Sequence, residues 1–345
     1  MTRREFVKML LSMSVVVDGS VNALFKMLYK ALNKETNTGT NTDTIVEEVK
    51  PVVSAEPLLS FFVLSDLHVS IYDSNTPRKL RNALYQIQYF SYPVDGLLLG
   101  GDLTDYGTEP EYKSLESILH SYKLPQLYAN MGNHDYYNIW IDRKGAFNTA
   151  TMPNGKTDAQ SRERFQKMFW YTKPYNDFDI KGYHFILMSQ ESYLQEMPEV
   201  GEGAWYSDAQ MEWLEAKLKE TKDGKPIFIL IHQPLPAIGQ DGGSHRLIRA
   251  NKFRELLKPY PNVFVISGHT HQDFDNGSNH YTKETFHWFV NASVGLTRHP
   301  QPLTKSQGMY VQVYEDRVVV RGWEFANSTW IPEADWTIPL DKLKV

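Results

Sequence analysis

Gly132-Asn133-His134-Asp135 sets an amide, an imidazole and a carboxylate side by side, just after the apolar run Leu127-Tyr128-Ala129. An amide oxygen is a weak, hard ligand, so this cluster suits a metal ion only beside stronger donors. The chain supplies them as Asp66-x-His68, Gly101-Asp102, His232 and Gly268-His269-x-His271. In extended backbone, residues two apart face the same side, so Asp66 with His68 and His269 with His271 read as two pincers. Gly101, Gly132 and Gly268 each precede a candidate ligand, where the backbone must turn sharply and come close to a bound ion. Asp66, Asp102, Asn133, His68, His232, His269 and His271 together exceed what one ion needs. Two metals sharing a carboxylate are the economical solution, and nitrogen and oxygen donors without sulfur suit Mn, Fe or Zn in a divalent or trivalent state.

Residues so far apart need elements that deliver them to one place. Apolar runs of strand length alternate with helical patterns, the signature of βαβ units and an α/β sheet. Strands are predicted at Leu59 to Leu64, Val94 to Leu99, Gln126 to Asn130, Tyr183 to Met188, Ile227 to Ile231 and Val263 to Ile266. Thr76-Pro77 reads as an N-cap and first-turn proline for a helix carrying Leu80, Ala83, Leu84 and Ile87. Further helices are predicted near Pro110 to Tyr122, Ala159 to Tyr171 and Ile248 to Leu257, and Ser207 with Gln210 reads as a capping box for a helix through Met211, Leu214 and Leu218. His287 to Val290, Met309 to Tyr314 and Arg317 to Trp323 read as short antiparallel strands, with a turn at Glu315-Asp316. Every ligand cluster follows the carboxyl end of a strand, and in an open α/β sheet those ends share the edge where ligands bind.

The 345 residues are 41% hydrophobic, enough for a sizeable core, and carry 36 basic against 41 acidic side chains, a net charge of −5. With no basic block, bulk attraction to nucleic acid has no support. The absence of cysteine excludes disulfides and thiolate metal sites. Residues 1–32 open with Thr2-Arg3-Arg4-Glu5-Phe6-Val7-Lys8 before a short apolar run, which resembles a twin-arginine export signal with a candidate cleavage site at Val21-Asn22-Ala23. The alternative is a basic amphipathic leader helix in a cytoplasmic protein, since Leu24, Phe25, Leu28 and Leu32 have helical spacing. Export would place the protein in the periplasm or outside the cytoplasm, with transient contact to the membrane or export machinery. Residues 33–57, rich in Thr, Asn and Glu, read as a disordered tether, and 58–345 as the catalytic domain.

Asp66-x-His68, Gly101-Asp102-x-x-Asp105, Gly132-Asn133-His134-Asp135, His232 and Gly268-His269-x-His271 together resemble the calcineurin-like metallophosphoesterase superfamily, over about residues 59 to 325. The resemblance implies a single four-layer αββα domain, a β-sandwich flanked by helices, with a two-metal site at the sheet edge. It places Asp66, His68 and His271 on one ion, Asn133, His232 and His269 on the other, and Asp102 between them. His134 matches a general acid or leaving-group stabiliser, with Asp135 placed to orient it. The implied chemistry is metal-activated hydroxide attack on phosphorus in small organic phosphodiesters or phosphomonoesters. With Asp105 and His68 where purple acid phosphatases differ, the chain looks more like the cyclic-nucleotide phosphodiesterase type. The rival readings are a metal-dependent nuclease, which should carry a basic track, and a non-catalytic binding module of the same fold, which should have lost ligands.

Single residues outside these motifs take the plainer reading. His120, His184, His280, His287 and His299 read as hydrogen-bonded core or edge histidines, and Asp105 as a cap of its loop rather than a ligand. Tyr136, Tyr137 and Trp140 fit packing and a wall for an organic leaving group equally well. His245 and Arg246, in the Gly-rich loop after Asp241-Gly242-Gly243, read as solvated charge, the alternative being that this loop approaches the site from the His232 side to bind a phosphate oxygen.

Overall fold

Twelve strands form two mixed six-stranded sheets in a computed structural model, which describes residues 56–221, 224–298 and 304–341. The described residues fall in one compact unit, Ala55–Val345. The expected leader and most of the expected tether lie outside them.

In the first sheet β1 (Leu59–Leu64), β2 (Gly96–Gly100) and β3 (Gln126–Asn130) run parallel, and β10 (Gln307–Val313), β11 (Arg317–Glu324) and β12 (Thr329–Pro339) continue it antiparallel beyond β1, in the order β12-β11-β10-β1-β2-β3. The second has the order β4-β5-β6-β7-β9-β8. Here β5 (Tyr183–Leu187), β6 (Ile227–Leu230), β7 (Val263–Ser267) and β9 (His287–Val290) are parallel, and β4 (Asn176–Ile180) and β8 (Tyr281–Lys283) close its edges antiparallel.

The period of two explains the layering. Phe61 and Val63 of β1 and Leu98 of β2 pack against Phe185, Phe228, Phe264 and Phe289 between the sheets. Their neighbours Phe62, Leu64, Leu97 and Leu99 face outward onto α1 (Asn75–Gln88), α2 (Glu109–His120) and α3 (Asp158–Phe169). Ile186, Ile229 and Val265 face α4 (Asp208–Glu220) and α5 (Ala250–Leu257) on the far side. These strands are buried on both faces, which is why they read as unbroken apolar runs. The expected αββα sandwich is the fold.

Local chemistry departs from the reading in several places. Helix α1 starts at Asn75, and the Thr76 hydroxyl donates to the His68 carbonyl (2.5 Å) instead of capping the helix. Ser207 does accept from the Gln210 N–H, but the Gln210 side chain turns away to the Ser189 backbone, so no reciprocal box forms. Such boxes stand instead at Thr108 with Glu111 and Thr157 with Gln160. Strands β4, β8 and β12 were not anticipated. β12 pairs with β11 across a register shift at Arg321/Gly322, and its prolines and acidic residues hide the strand pattern.

Candidate metal centre

Five strand ends from both sheets meet at one edge: those of β1, β2 and β3 in the first sheet, β6 and β7 in the second. Asp66 and His68 converge, as do His269 and His271, though not along extended backbone. Asp66 (φ 53°), His68 (45°), Asp102 (48°), His269 (68°) and His271 (54°) all occupy the left-handed region. That conformation costs L-residues roughly 1–2 kcal/mol each and persists where surrounding structure enforces it. Here the Asp66 and His68 N–H groups donate to the Gly101 and Asp102 carbonyls (3.1 and 3.0 Å), tying the first loop to the second.

None of the three glycines has room for a side chain, though only Gly101 sits in a left-handed turn. A Cβ at Gly132 would lie 2.2 Å from Asp102 Oδ1, at Gly268 1.9 Å from Ser65 Oγ, and at Gly101, which also has φ +81°, 2.4 Å from His232 Nδ1.

Asp102 is central. Its Oδ1 accepts from the His134 N–H (2.9 Å), while Oδ2 lies 3.1 Å from His232 Nε2 and 3.7 Å from His68 Nε2. On one side His271 Nε2 is 3.1 Å from Asp66 Oδ1 and 3.0 Å from His68 Nε2. On the other, His269 Nδ1 is 3.0 Å from Asn133 Oδ1. All seven candidate ligands are thus gathered and buried.

The donor set fits metal ions on structural grounds. Asp102 Oδ2 and His232 Nε2 are buried 3.1 Å apart as an ion pair but make no hydrogen bond of good geometry, an arrangement that protein interiors rarely tolerate. The ring nitrogens left over are satisfied as in metal-ligating histidines: His232 Nδ1 meets the Gly100 carbonyl (2.8 Å) and His68 Nδ1 the Asp105 carboxylate (3.3 Å). Burial, then the neighbouring His134, lowers the His68 pKa to about 4, and burial, then His232, holds that of His269 well below the usual value. Both rings therefore keep a lone pair to offer. Burial resists charge on His232, but Asp102 and then Asp66 outweigh it and raise its pKa to about 9; a cation would replace that proton.

His134 opens a three-ten turn, His134–Trp140, and its Nδ1 lies 2.8 Å from the Asp105 carbonyl. Its ring stacks on Tyr137 (4.0 Å between centroids) and stays partly exposed. Burial opposes its protonation, but Asp102 and Asp105 prevail and raise its pKa to about 9.

Asp135 does not orient that imidazole. Its Oδ2 accepts from the Gly132 and Leu103 N–H groups, and its Oδ1 from the Thr104 N–H and hydroxyl and from Tyr112. It therefore pins two ligand-bearing loops together from below. The orienting contacts come from Asp105, whose Oδ1 lies 3.3 Å from His68 Nδ1 and 3.7 Å from His134 Nδ1, so Asp105 is a buttress rather than a loop cap.

Two further residues join the site. Glu202 Oε2 accepts from Asn133 Nδ2 (2.7 Å) and Tyr137 (3.0 Å), and Tyr193 holds its other oxygen (2.5 Å). This fixes which end of the Asn133 amide is the nitrogen and aims Oδ1 at His269. His245, read as solvated charge with an approach to the site as the alternative, brings Nδ1 to 3.1 Å from His269 Nε2, whereas the Arg246 guanidinium donates to the adjacent His245 carbonyl. No motif marks Glu202, because the loop that carries it returns from elsewhere. Of the aromatic trio, Tyr136 is buried with its hydroxyl on the Gln190 carbonyl and Trp140 packs on the helix-side core, leaving Tyr137 at the site. A separate cluster, Asp177, His184 and Glu220, already holds its cation, since Lys217 Nζ is 3.1 Å from both carboxylates.

A two-sheet sandwich with Asp, Asn and His pooled at its strand ends defines a metallophosphoesterase-type scaffold. Residues 59–273 match the family model of calcineurin-like phosphoesterases, and the chain belongs to that family. It is 24% identical over 209 residues to the 3′,5′-cyclic adenosine monophosphate phosphodiesterase CpdA of Escherichia coli K12, covering 60% of this chain and 66% of that protein. It is 28% identical over 192 residues to a probable cyclic nucleotide phosphodiesterase of Synechococcus, covering 53% and 60%. To a probable glycerophosphodiester phosphodiesterase of Arcobacter nitrofigilis it is 23% identical over 210 residues, covering 60% and 64%. The chain thus spans slightly less than two thirds of these relatives. Among solved structures, purple acid phosphatase PPD1 from yellow lupin superposes with a TM-score of 0.54 at 13% identity, covering 81% of this chain and 53% of that one, a likeness of fold.

Proposed function

We propose that this protein is a two-metal phosphoesterase that hydrolyses small organic phosphodiesters or phosphomonoesters. The observation that carries the reading is Asp102, whose Oδ2 makes no hydrogen bond and faces both His232 and His68 at the junction of two ligand clusters. Asp66, His68 and His271 would hold one cation, Asn133, His232 and His269 the other, with Asp102 shared. When bound, such ions activate water and offset charge building on phosphate oxygens.

The remaining roles belong to the chain. Asp105 holds the Nδ1 edge of His134, which leaves Nε2 free to give a proton to a departing alkoxide. Tyr137, stacked on that ring, limits its rotation. Glu202 and His245 hold Asn133 and His269 in ligating orientation. Relatives that are phosphodiesterases support the reading, and the net charge of −5 favours small esters over a nucleic-acid track. The twin-arginine-like segment supports a place outside the cytoplasm.

Purified protein given Mn²⁺ is expected to hydrolyse bis(p-nitrophenyl) phosphate. No turnover with Mn²⁺, Fe²⁺ or Zn²⁺ would leave the binding-module reading in its place.

A further inference from the structure

Linked to His134 through Tyr137 and Phe147 is a cavity of about 350 Å³ lined by Tyr72, Tyr106, Ile141, Lys144, Gly145, Ala146 and Phe147. Three of its walls are aromatic. Tyr106 is next in sequence to Asp105, with its phenol set against that carboxylate, and Asp105 holds His134. From His134 a series of rings leads outward: Tyr137 (4.0 Å between centroids), then Phe147 (6.4 Å), Tyr106 (5.7 Å from Phe147) and Tyr72 (5.8 Å from Tyr106).

The walls are built rather than loose. The Tyr72 hydroxyl donates to the Gly145 carbonyl (3.0 Å), the Asp142 carboxylate accepts from the Lys144 and Ala146 N–H groups, and Phe147 forms a bridge with Ile141. Yet Tyr72 and Phe147 remain 59% and 49% exposed, with apolar faces that no side chain covers fully. Aromatic rings held open beside a charged site suit a flat π-system, which can stack on them whatever its edge pattern.

We propose that Tyr72, Tyr106 and Phe147 form a subsite for a planar aromatic group on the ester, on the side where His134 meets the departing oxygen. This rests on the phosphoesterase reading for its orientation, and continuity with His134 and Asp105 is what assigns the cavity to the ester rather than to another partner. An aryl ester and a nucleotide share the required chemistry.

Calorimetry with Mn²⁺-supplemented protein separates the sources and the alternatives. Adenosine 5′-monophosphate and phenyl phosphate are titrated against ribose 5-phosphate, which keeps the phosphate and lacks the ring. An aromatic ligand is expected to bind about 10-fold tighter than ribose 5-phosphate, with Phe147→Ala and Tyr72→Ala each removing most of that gain. Ribose 5-phosphate affinity should stay unchanged in both variants. Preference for adenosine 5′-monophosphate over phenyl phosphate assigns the subsite to nucleobases, and the reverse to simple aryl groups. Equal affinity for ringed and ringless ligands overturns the subsite, as does no binding by any of them, or an equal loss of all three in the variants. Loss of binding to anionic phospholipid vesicles in Phe147→Ala, with no ring preference in wild type, gives this rim to a membrane and overturns it too. Protein that shows the ring preference but leaves bis(p-nitrophenyl) phosphate intact keeps the subsite and refutes the hydrolytic reading.

Discussion

The strand-end edge and the space between the sheets are built from the same strands and follow opposite rules. Between the sheets Phe61 packs edge-to-face on Phe185 and Phe228 (5.0 and 4.9 Å), within a large cluster of buried apolar side chains. A few residues further along those strands, five residues sit in left-handed backbone, ring nitrogens face one another at 3.0 Å, and Asp102 keeps a buried oxygen without a hydrogen bond. The first region stabilises the fold. The second draws on that stability to hold ligands ready, as functional sites characteristically do.

This contrast can be broken by single substitutions. Asp102→Asn is expected to lower kcat for bis(p-nitrophenyl) phosphate by on the order of 10³-fold and also to lower the melting temperature of metal-free protein, because burial is outweighed by His232 and His134 in holding this carboxyl well below its usual value and the substitution leaves the buried His232 charge unpaired. Unchanged kcat would mean that Asp102 serves the fold alone. Phe228→Ala is the converse, expected to cost about 3–5 kcal/mol in denaturant titrations with kcat per folded molecule nearly unchanged.

Smaller changes sharpen the boundary. Glu202→Gln should weaken uptake of the second ion by about 10–100-fold, read as metal stoichiometry after dialysis, because the Asn133 amide is then free to flip. Unaltered stoichiometry would make Glu202 a loop anchor only. At saturating Mn²⁺, near 100 times the dissociation constant, wild type should gain about 2.7 kcal/mol of stability, a gain that Asp102→Asn loses.

The smallest effect concerns Glu111, buried in the α2 capping box, where desolvation outweighs its Thr108 and Tyr106 hydrogen bonds and raises its pKa to about 7. Folded protein keeps a proton that the unfolded chain has released. That contribution is full below the usual value of 4.5 and disappears as pH rises through 7. Glu111→Gln should therefore gain a few degrees in melting temperature relative to wild type between pH 5 and pH 8.

The cluster of candidate ligands was legible because a metal site would demand particular side chains, and strand ends are recognisable punctuation. The left-handed conformations behind the two pincers were not legible, since nothing in Asp66-Leu67-His68 announces them. Glu202 escaped because its partners lie far away in sequence and a lone acid in a loop carries no period, and His245 was visible only as a secondary reading for the same reason. Asp135 and Asp105 exchanged roles for a related reason. Adjacency to His134 suggested contact, but the three-ten turn directs the Asp135 carboxylate downward to the Gly132 and Leu103 amides.

Strand β1 has neighbours far apart in sequence, β2 on one flank and β10 on the other, with Leu59 opposite Val313. During synthesis its second flank must wait for nearly the whole domain to emerge. Until then a bare row of amides and carbonyls invites a stray strand, from another copy or from a chaperone's client pool. Assembly of this molecule is consequently governed by its tail, and truncations that stop short of residue 307 should collect as aggregates rather than as a smaller soluble protein.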